Sequence, residues 1–385
     1  MATQPKVIDF ELLPELKEFQ EMTRRFAREE IAPHAVMLDR EQRFPKELVQ
    51  KAGEFGLLKM TIPSEYGGTE MGSLASCIML EEINAACPST GVTISVHNSL
   101  FCAPLTKWGS DDQKTRYFPK LLDGTWLGAY CLSEAASGSD AAGLQCKATR
   151  DGDDWILNGP KLWITTGSEA DLFIVFARSG EDRVKGISAY LLEAGYDGVS
   201  IGKKERKLGI KASPTTEILL ENVRVPGANL LGEEGRGFTI ALDTLDGGRL
   251  GIAAQSLGIA RAAVDLIRGH LAKQKNAKGR PNSSQHAQWT LADRCAELDA
   301  YRFLTWRAAI LRDQGQTVAP QSAMAKLCSS KLSNRAARDA VSLLGLEGAS
   351  GATEAERLVR DARITEIYEG ATDIQRLVIA RSVLV

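Results

Sequence analysis

The sequence predicts an α+β protein, with helices at both ends and an antiparallel β unit between them. Three observations predict it. Leu12, Leu16, Phe19, Met22 and Phe26 recur at spacings of three and four, which is one face of a helix. From about Trp126 the texture changes to short apolar runs rich in β-formers, separated by Gly, Asp and Asn. Leu250, Ala254, Leu257, Val264, Ile267 and Leu271 then restore a helical stripe. The expected units are a helical N-terminal domain over 1–125, a central β-domain over 126–237 and a C-terminal helical bundle over 238–385.

In chain order, Pro33 is expected to close the first helical segment, and Pro45 falls just inside a second one running through Leu48 to Leu57. Pro63 to Gly72 reads as a turn-rich loop, and Leu80 to Ala86 resumes helix. An Asp151-Gly152 turn precedes the Trp155-Ile-Leu strand. Leu172 to Ala177, Ile187 to Leu192 and Ile218 to Val225 read as further strands, in a unit of about 100 residues. That unit ends in the Gly-rich stretch Pro226 to Gly237. Its Gly232, Gly235 and Gly237 have no strand–helix frame of the dinucleotide-binding kind around them. The C-terminal stripe is interrupted by the polar, breaker-rich Lys275 to Gln288. Helices follow at about Leu291 to Arg312, Ala319 to Leu344 and Thr372 to the end.

Composition excludes several classes. A chain of 385 residues with 44% apolar content suits two or three packed domains. Lys+Arg of 47 against Asp+Glu of 49 argues against a general nucleic-acid binder. The local run Lys203, Lys204, Arg206 and Lys207 reads as a solvated turn or as an anion contact. No stretch reads as the ~20 apolar residues of a membrane span, and Met1 to Lys6 lacks a signal-peptide core. Seven scattered cysteines without a C-x-x-C pair suggest reduced thiols and a cytoplasmic, or mitochondrial matrix-like, compartment. The four histidines, at 34, 97, 270 and 286, have no metal-ligating spacing, so no metal is expected.

Four stretches carry chemistry. Tyr130 to Gly143 reads Y-C-L-S-E-A-A-S-G-S-D-A-A-G, small residues whose backbone N–H groups can approach a flat ring or a phosphate. Trp163-Ile164-Thr165 offers an aromatic plane beside a hydroxyl. Leu245-Asp-Gly-Gly-Arg249 is expected to open a long helix, where Asp246 and Arg249 alone would read as a helix N-terminal acid and a surface ion pair. Arg360-Asp-Ala is followed by Ile367-Tyr-Glu-Gly370. Together these motifs resemble the acyl-CoA dehydrogenase family, in its short-chain, butyryl-CoA dehydrogenase-like branch. Pro63-Ser-Glu-Tyr-Gly-Gly68, Val96-His-Asn-Ser-Leu100, Leu208-Gly-Ile and Glu221-Asn-Val-Arg-Val-Pro226 also fit, so the resemblance covers essentially the whole chain.

The resemblance implies a C-terminal four-helix bundle, with FAD lying between it and the β-domain. It implies cofactor contacts at Tyr130, Leu132, Ser133, Gly138, Ser139, Trp163, Ile164 and Thr165 on the ring side. Lys275, Ser342, Gly345, Ala371 and Asp373 would serve the adenine–diphosphate side. Ser139 would also lie near the CoA portion of the substrate, and Asp246, Arg249 and Gly370 would contact or shape the acyl-CoA site. Glu369 would be the base that takes the α-proton of the thioester while the β-hydride passes to flavin, giving a trans-2-enoyl-CoA. Electron-transferring flavoprotein is the implied acceptor. The implied assembly is a homotetramer (a dimer of dimers) in which each FAD reaches a neighbouring subunit, with a hetero-oligomer as an alternative.

Departures from the family pattern cluster at the adenine–diphosphate side. The family's R-x-Q-F-G stands here as Lys275-Asn-Ala-Lys-Gly279, and a lysine cannot supply a bidentate fork. Q-x-x-G-G-x-G-Y appears as Ser342-Leu-Leu-Gly-Leu-Glu-Gly-Ala349, and E-G-T becomes Glu369-Gly-Ala371. Three explanations stand: altered contacts with Lys275, Lys278 or Arg280 near the diphosphate, weak FAD binding, or a site completed by a different partner subunit. The competing functions are an acyl-carrier-protein-linked biosynthetic dehydrogenase, an oxidase, and an FAD-poor, non-catalytic binder of acyl-CoA or a partner.

Overall fold

The computed structural model describes residues 12–275, 278–279 and 283–384. The N-terminal helices are α1 (Pro14–Phe26), α2 (Ala35–Glu41), α3 (Lys46–Glu54), α4 (Gly72–Ala86), α5 (Pro88–Val96), α6 (Ala103–Trp108) and α7 (Asp111–Leu121). Pro33 kinks the first segment rather than closing it. A π-helical turn at Ala27–Ile31 and a 3₁₀ turn at Ala32–His34 absorb the missing N–H, and the chain continues into α2. Gln42, in the left-handed region at φ 53°, ends α2. Ser110 and Gln113 form a reciprocal capping box that starts α7.

The central sheet holds β1 (Gly128–Cys131), β2 (Lys147–Asp151), β3 (Asp154–Thr165), β4 (Leu172–Arg178), β5 (Ile187–Glu193), β6 (Val199–Lys204), β7 (Thr215–Val225) and β8 (Leu230–Leu231). Its order is β6-β7-β3-β2-β4-β5-β8, with β1 beside β4. The pairing is antiparallel except that β1 runs parallel to β4, from Gly128 opposite Leu172, and β2 meets β4 in parallel at Lys147 and Arg178. The chain between β1 and β4 passes through the whole β2–β3 hairpin, a connection long enough for parallel pairing. Leu172 to Ala177 is buried on both faces, which explains its unbroken apolar run. Where the helices hand over to the sheet, the Gly128 N–H donates to His97 Nδ1 at 3.3 Å, and His97 Nε2 is 3.1 Å from the Leu121 carbonyl oxygen. Burial pushes this imidazole down to about 4, so it stays neutral and fixes where β1 begins.

The C-terminal part comprises α8 (Gly237–Lys273), α9 (Gln285–Asp313), α10 (Ala319–Leu344), α11 (Leu346–Ala349), α12 (Ala355–Ala362) and α13 (Thr372–Val383). α8 starts well before Leu245, so Asp246 lies inside the helix and is not an N-terminal acid. Ser284 caps α9 by accepting from the Ala287 N–H, which brings that helix into the stretch read as a breaker. α8 is long and apolar enough to cross a membrane, contrary to the expectation that no segment would be. It is a core helix, with 78% of its most apolar window buried, packed against α4, α5, α9 and α10.

Candidate active site

A cavity of about 740 Å³ opens between the sheet, α5, α8 and the segment from Arg363 to Ile374. Its size lies inside the range of about 300–1,000 Å³ typical of small-molecule sites. One wall comes from β1, the loop that follows it, and the end of β3. Tyr130, Leu132, Ser133, Gly138 and Ser139 line this wall with Trp163, Ile164 and Thr165.

The loop is pinned by a buried ion pair. Glu134 accepts from the Gln145 N–H at 2.6 Å, the Cys146 N–H at 3.0 Å and Lys161 Nζ at 2.6 Å. The Lys161 ammonium, fully buried, also donates to the Leu132 carbonyl at 3.2 Å, and the Leu162 N–H donates to Ser133 O at 2.9 Å. Ser133 is thus held between two satisfied neighbours. Sequence reasoning missed both Glu134 and Lys161, although Glu134 stands inside the recognised motif. Trp163 sits where the register between β3 and β7 slips from Lys161 to Ile164, at φ 58°. The bulge turns its indole off the sheet, leaving it 52% exposed on the cavity wall. A tryptophan in a strand usually packs into the core; this one does not.

The opposite wall carries Glu369. The residue has φ 50° and Gly370 has φ 92°, two consecutive left-handed residues between a 3₁₀ turn at Arg363–Glu366 and α13. Such a turn costs a non-glycine residue about 1–2 kcal/mol, so its carbonyls need firm partners. Lys326 Nζ donates to Gly370 O at 2.6 Å, and Gln375 Nε2 donates to the same oxygen at 2.8 Å and to Glu369 O at 3.4 Å. Glu369 Oε2 is sealed from solvent and has no hydrogen-bond partner among the described residues. Gly248 of α8 lies against it so closely that an added Cβ would come within 1.8 Å of that oxygen. Burial pushes the Glu369 carboxyl up to about 7, against the opposing charges of Lys326 and Arg249. Arg249 lines the cavity, donates to Asp246 Oδ1 at 2.6 Å, and keeps a buried Nε without a partner.

Apolar residues missed in the sequence complete the chamber: Val92 and Val96 of α5, Leu100 and Ile210. Tyr368 lines it too, its hydroxyl donating to Gln255 Oε1. The basic run proves to be more than a solvated turn, since Arg206 and Lys207 both line the cavity. Lys207 Nζ donates to Ser213 O at 2.8 Å, and burial lowers its pKa to about 8.

Not every expected residue comes together. Gly370 and Ala371 join Glu369 at the cavity, whereas Asp246 supports Arg249 from outside the lining. Lys275, Ser342, Gly345 and Asp373 lie apart from the cavity of this chain and are exposed. Gly345 caps α10 at φ 59° with open space around it, and Asp373 pairs with Arg376 at 2.5 Å. Arg280 falls outside the described residues, as do Asn276 and Ala277.

Models of the acyl-CoA dehydrogenase N-terminal, middle and C-terminal domains match residues 14–125, 129–223 and 235–384. The mitochondrial short-chain specific acyl-CoA dehydrogenase of Mus musculus is 47% identical over 375 residues, which is 97% of this chain and 91% of the relative. The chain belongs to the acyl-CoA dehydrogenase family. Among solved acyl-CoA dehydrogenases, butyryl-CoA dehydrogenase from Megasphaera elsdenii superposes with a TM-score of 0.94 at 36% identity, covering 98% of this chain and 100% of that one. A chain from a structural study of the electron transferring flavoprotein of Acidaminococcus fermentans gives a TM-score of 0.94 at 38% identity, with the same coverage. The protein is therefore an oxidoreductase that dehydrogenates an acyl-CoA, in a family of FAD flavoproteins.

Proposed function

We propose that this acyl-CoA dehydrogenase oxidises a short- or medium-chain acyl-CoA to the trans-2-enoyl-CoA, with Glu369 as the base. The observation that carries the reading is the sealed, partnerless Oε2 of Glu369 at the cavity wall. A carboxyl whose pKa burial raises to about 7 is matched to removing a weakly acidic α-proton near neutral pH. In the reaction the α C–H bond breaks and its proton passes to Glu369, while the β C–H bond breaks with its electron pair leaving as hydride. The carbon–carbon double bond forms between them. The Glu369 backbone N–H serves as a donor to the thioester carbonyl, where negative charge develops. Arg249, buried with its charge balanced by Asp246, holds the carboxylate's surroundings fixed.

The ring-side wall fits FAD. A solvent-facing indole beside the hydroxyls of Ser133 and Thr165 is a donor set suited to a flat, polar-edged heterocycle. When bound, FAD supplies the two-electron acceptor for the departing hydride. For the adenine–diphosphate half we propose altered contacts that use Lys275 and Lys278. A Lys275→Ala, Lys278→Ala double variant is then expected to bind FAD more weakly, and an unchanged affinity counts against those contacts. Short-chain relatives support a short acyl group, and the A. fermentans structure supports electron-transferring flavoprotein as acceptor. The homotetramer rests on the family resemblance.

The deciding experiment is the visible spectrum of the purified protein before and after butyryl-CoA. Flavin bands that bleach on addition, and a Glu369→Gln variant that binds the thioester yet turns over at least ~10²-fold more slowly, are expected. Near-normal turnover in that variant would remove Glu369 from the mechanism. A protein that stays colourless when FAD is supplied would favour the non-catalytic reading instead.

A further inference from the structure

Lys326 does not belong to any motif read from the sequence. It sits in the first third of α10, where a lysine would ordinarily point to solvent, yet it is fully buried. Burying an ammonium is costly unless the group is paired or hydrogen-bonded. Here its ammonium donates not to a carboxylate but to a backbone carbonyl, Gly370 O, at 2.6 Å. That carbonyl belongs to the residue immediately after Glu369, in the left-handed turn described above.

We propose that Lys326 is a positioning residue for the base: its ammonium clamps the Gly370 carbonyl so that the strained Glu369–Gly370 turn keeps its shape, and its charge sets how readily Glu369 gives up its proton. This inference rests on Glu369 being the base.

Two features separate this role from simple packing. First, the clamp is doubled. Gln375 Nε2 reaches the same oxygen at 2.8 Å, so the Gly370 carbonyl has a neutral donor even without the lysine. The charge is what only Lys326 adds. Second, the charged groups around Glu369 form a short set. Lys326 from α10 and Arg249 from α8 favour its ionised form, and Lys326 is the stronger of the two. Arg249 is largely neutralised by Asp246, 2.6 Å away. Tyr130 from β1 and Tyr368 stay protonated, because burial and the Glu369 charge push both well above the usual phenol range. Glu369 and, to a lesser degree, Glu366 favour the charged form of Lys326. Burial and Arg249 oppose that charge and bring the lysine down to about 8, so at neutral pH the ammonium persists beside the base.

Removing the Lys326 charge leaves Glu369 buried with a weakened counter-charge, so its affinity for the proton rises. The acidic limb of the pH profile, where the base becomes ionised, must move to higher pH. An opposite charge within ~4–6 Å ordinarily shifts the titration of a carboxyl by about 1–3 pH units.

The test uses the FAD-loaded enzyme and butyryl-CoA, measuring the rate of flavin bleaching in a single turnover from pH 5 to 9. Two neutral variants are compared with the parent: Lys326→Met, which removes donor and charge, and Lys326→Gln, which keeps a donor. Both are expected to move the acidic limb upward by about one pH unit or more, with Lys326→Gln losing less of the limiting rate. A limb that stays in place in a folded, FAD-bearing variant overturns the proposal, because a merely structural lysine would lower the rate without moving the limb. If neither variant folds, Lys326 is an element of the fold and the proposal falls as well. Glu369→Gln, run in parallel, keeps the two claims distinct. Retained bleaching in that variant refutes Glu369 as base, whereas lost bleaching together with an unmoved limb in the lysine variants refutes only the role of Lys326.

Discussion

Replacing Glu369 by Gln is expected to stabilise the protein at neutral pH and to do far less at pH 5. The folded state holds this carboxyl at about 7, above its ordinary value of 4.5. Between those values the folded chain binds a proton that the unfolded chain has released, so stability falls as pH rises. The Lys326 and Arg249 charges are already included in that balance, and burial still outweighs them. From pH 5 to pH 7.5 the loss is about 2 kcal/mol. Glutamine keeps the shape without the ionisation and escapes it. For a chain of this length the unfolding entropy near the midpoint is about 0.8 kcal/mol per degree, so the variant should gain about 3 °C in Tm over the parent at pH 7.5 relative to the difference at pH 5. Scanning calorimetry of both proteins at the two pH values, at equal free FAD, measures this. A Tm difference that is the same at both pH values would show that Glu369 is not held in its proton-bound state by burial, and would remove the physical basis for its pH match to the reaction.

Three further outcomes follow from the site. Gly248→Ala places a methyl group within 1.8 Å of Glu369 Oε2, so the carboxylate must move; FAD content should be retained while butyryl-CoA turnover falls at least ~10²-fold, and turnover within a few-fold of the parent would contradict the packing. Lys161→Met leaves Glu134 buried with its charge unpaired, an effect of about 3–5 kcal/mol, and should lower both Tm and FAD affinity because the Ser133 loop loses its anchor. Trp163→Ala removes a side chain that packs little into the core, so calorimetry should show a small change in the Tm of the FAD-free protein, while fluorescence titration shows FAD affinity reduced roughly three- to tenfold.

Much of the fold was legible because helix and strand periods differ. The stripe from Leu250 to Leu271 and the run from Leu172 to Ala177 each announce one kind of burial, and both are where the sequence placed them. Errors arose where local chemistry admits two outcomes. Pro33 either stops a helix or bends it, and the choice belongs to the core that α2 reaches with Leu38. The start of α8 at Gly237 lies one residue from the expected boundary at 238, whereas Leu245-Asp-Gly-Gly-Arg249, which reads alone like a helix opening, lies inside it. The parallel pairing of β1 with β4 has no local signal, since it depends on a connection that spans the β2–β3 hairpin.

The site follows a different logic. Ser133, Trp163, Thr165 and Glu369 were readable because each stands in a short motif. What shapes the surroundings of the Glu369 carboxyl lies elsewhere in the sequence: Gly248 on α8 makes room for its carboxylate, Lys326 on α10 and Gln375 on α13 hold the turn that carries it, and apolar residues of α5 line the same chamber. A glycine in a helix reads as a weak helix former, and a lysine in a helix reads as a solvated one. Only the fold shows that the glycine leaves space for an oxygen and that the lysine faces inward. A motif can therefore point to the proposed base, but the surroundings that set its protonation come from four separate helices and the turn they enclose. Changes to those supporting residues should alter when the enzyme works, on the pH axis, more distinctly than whether it folds.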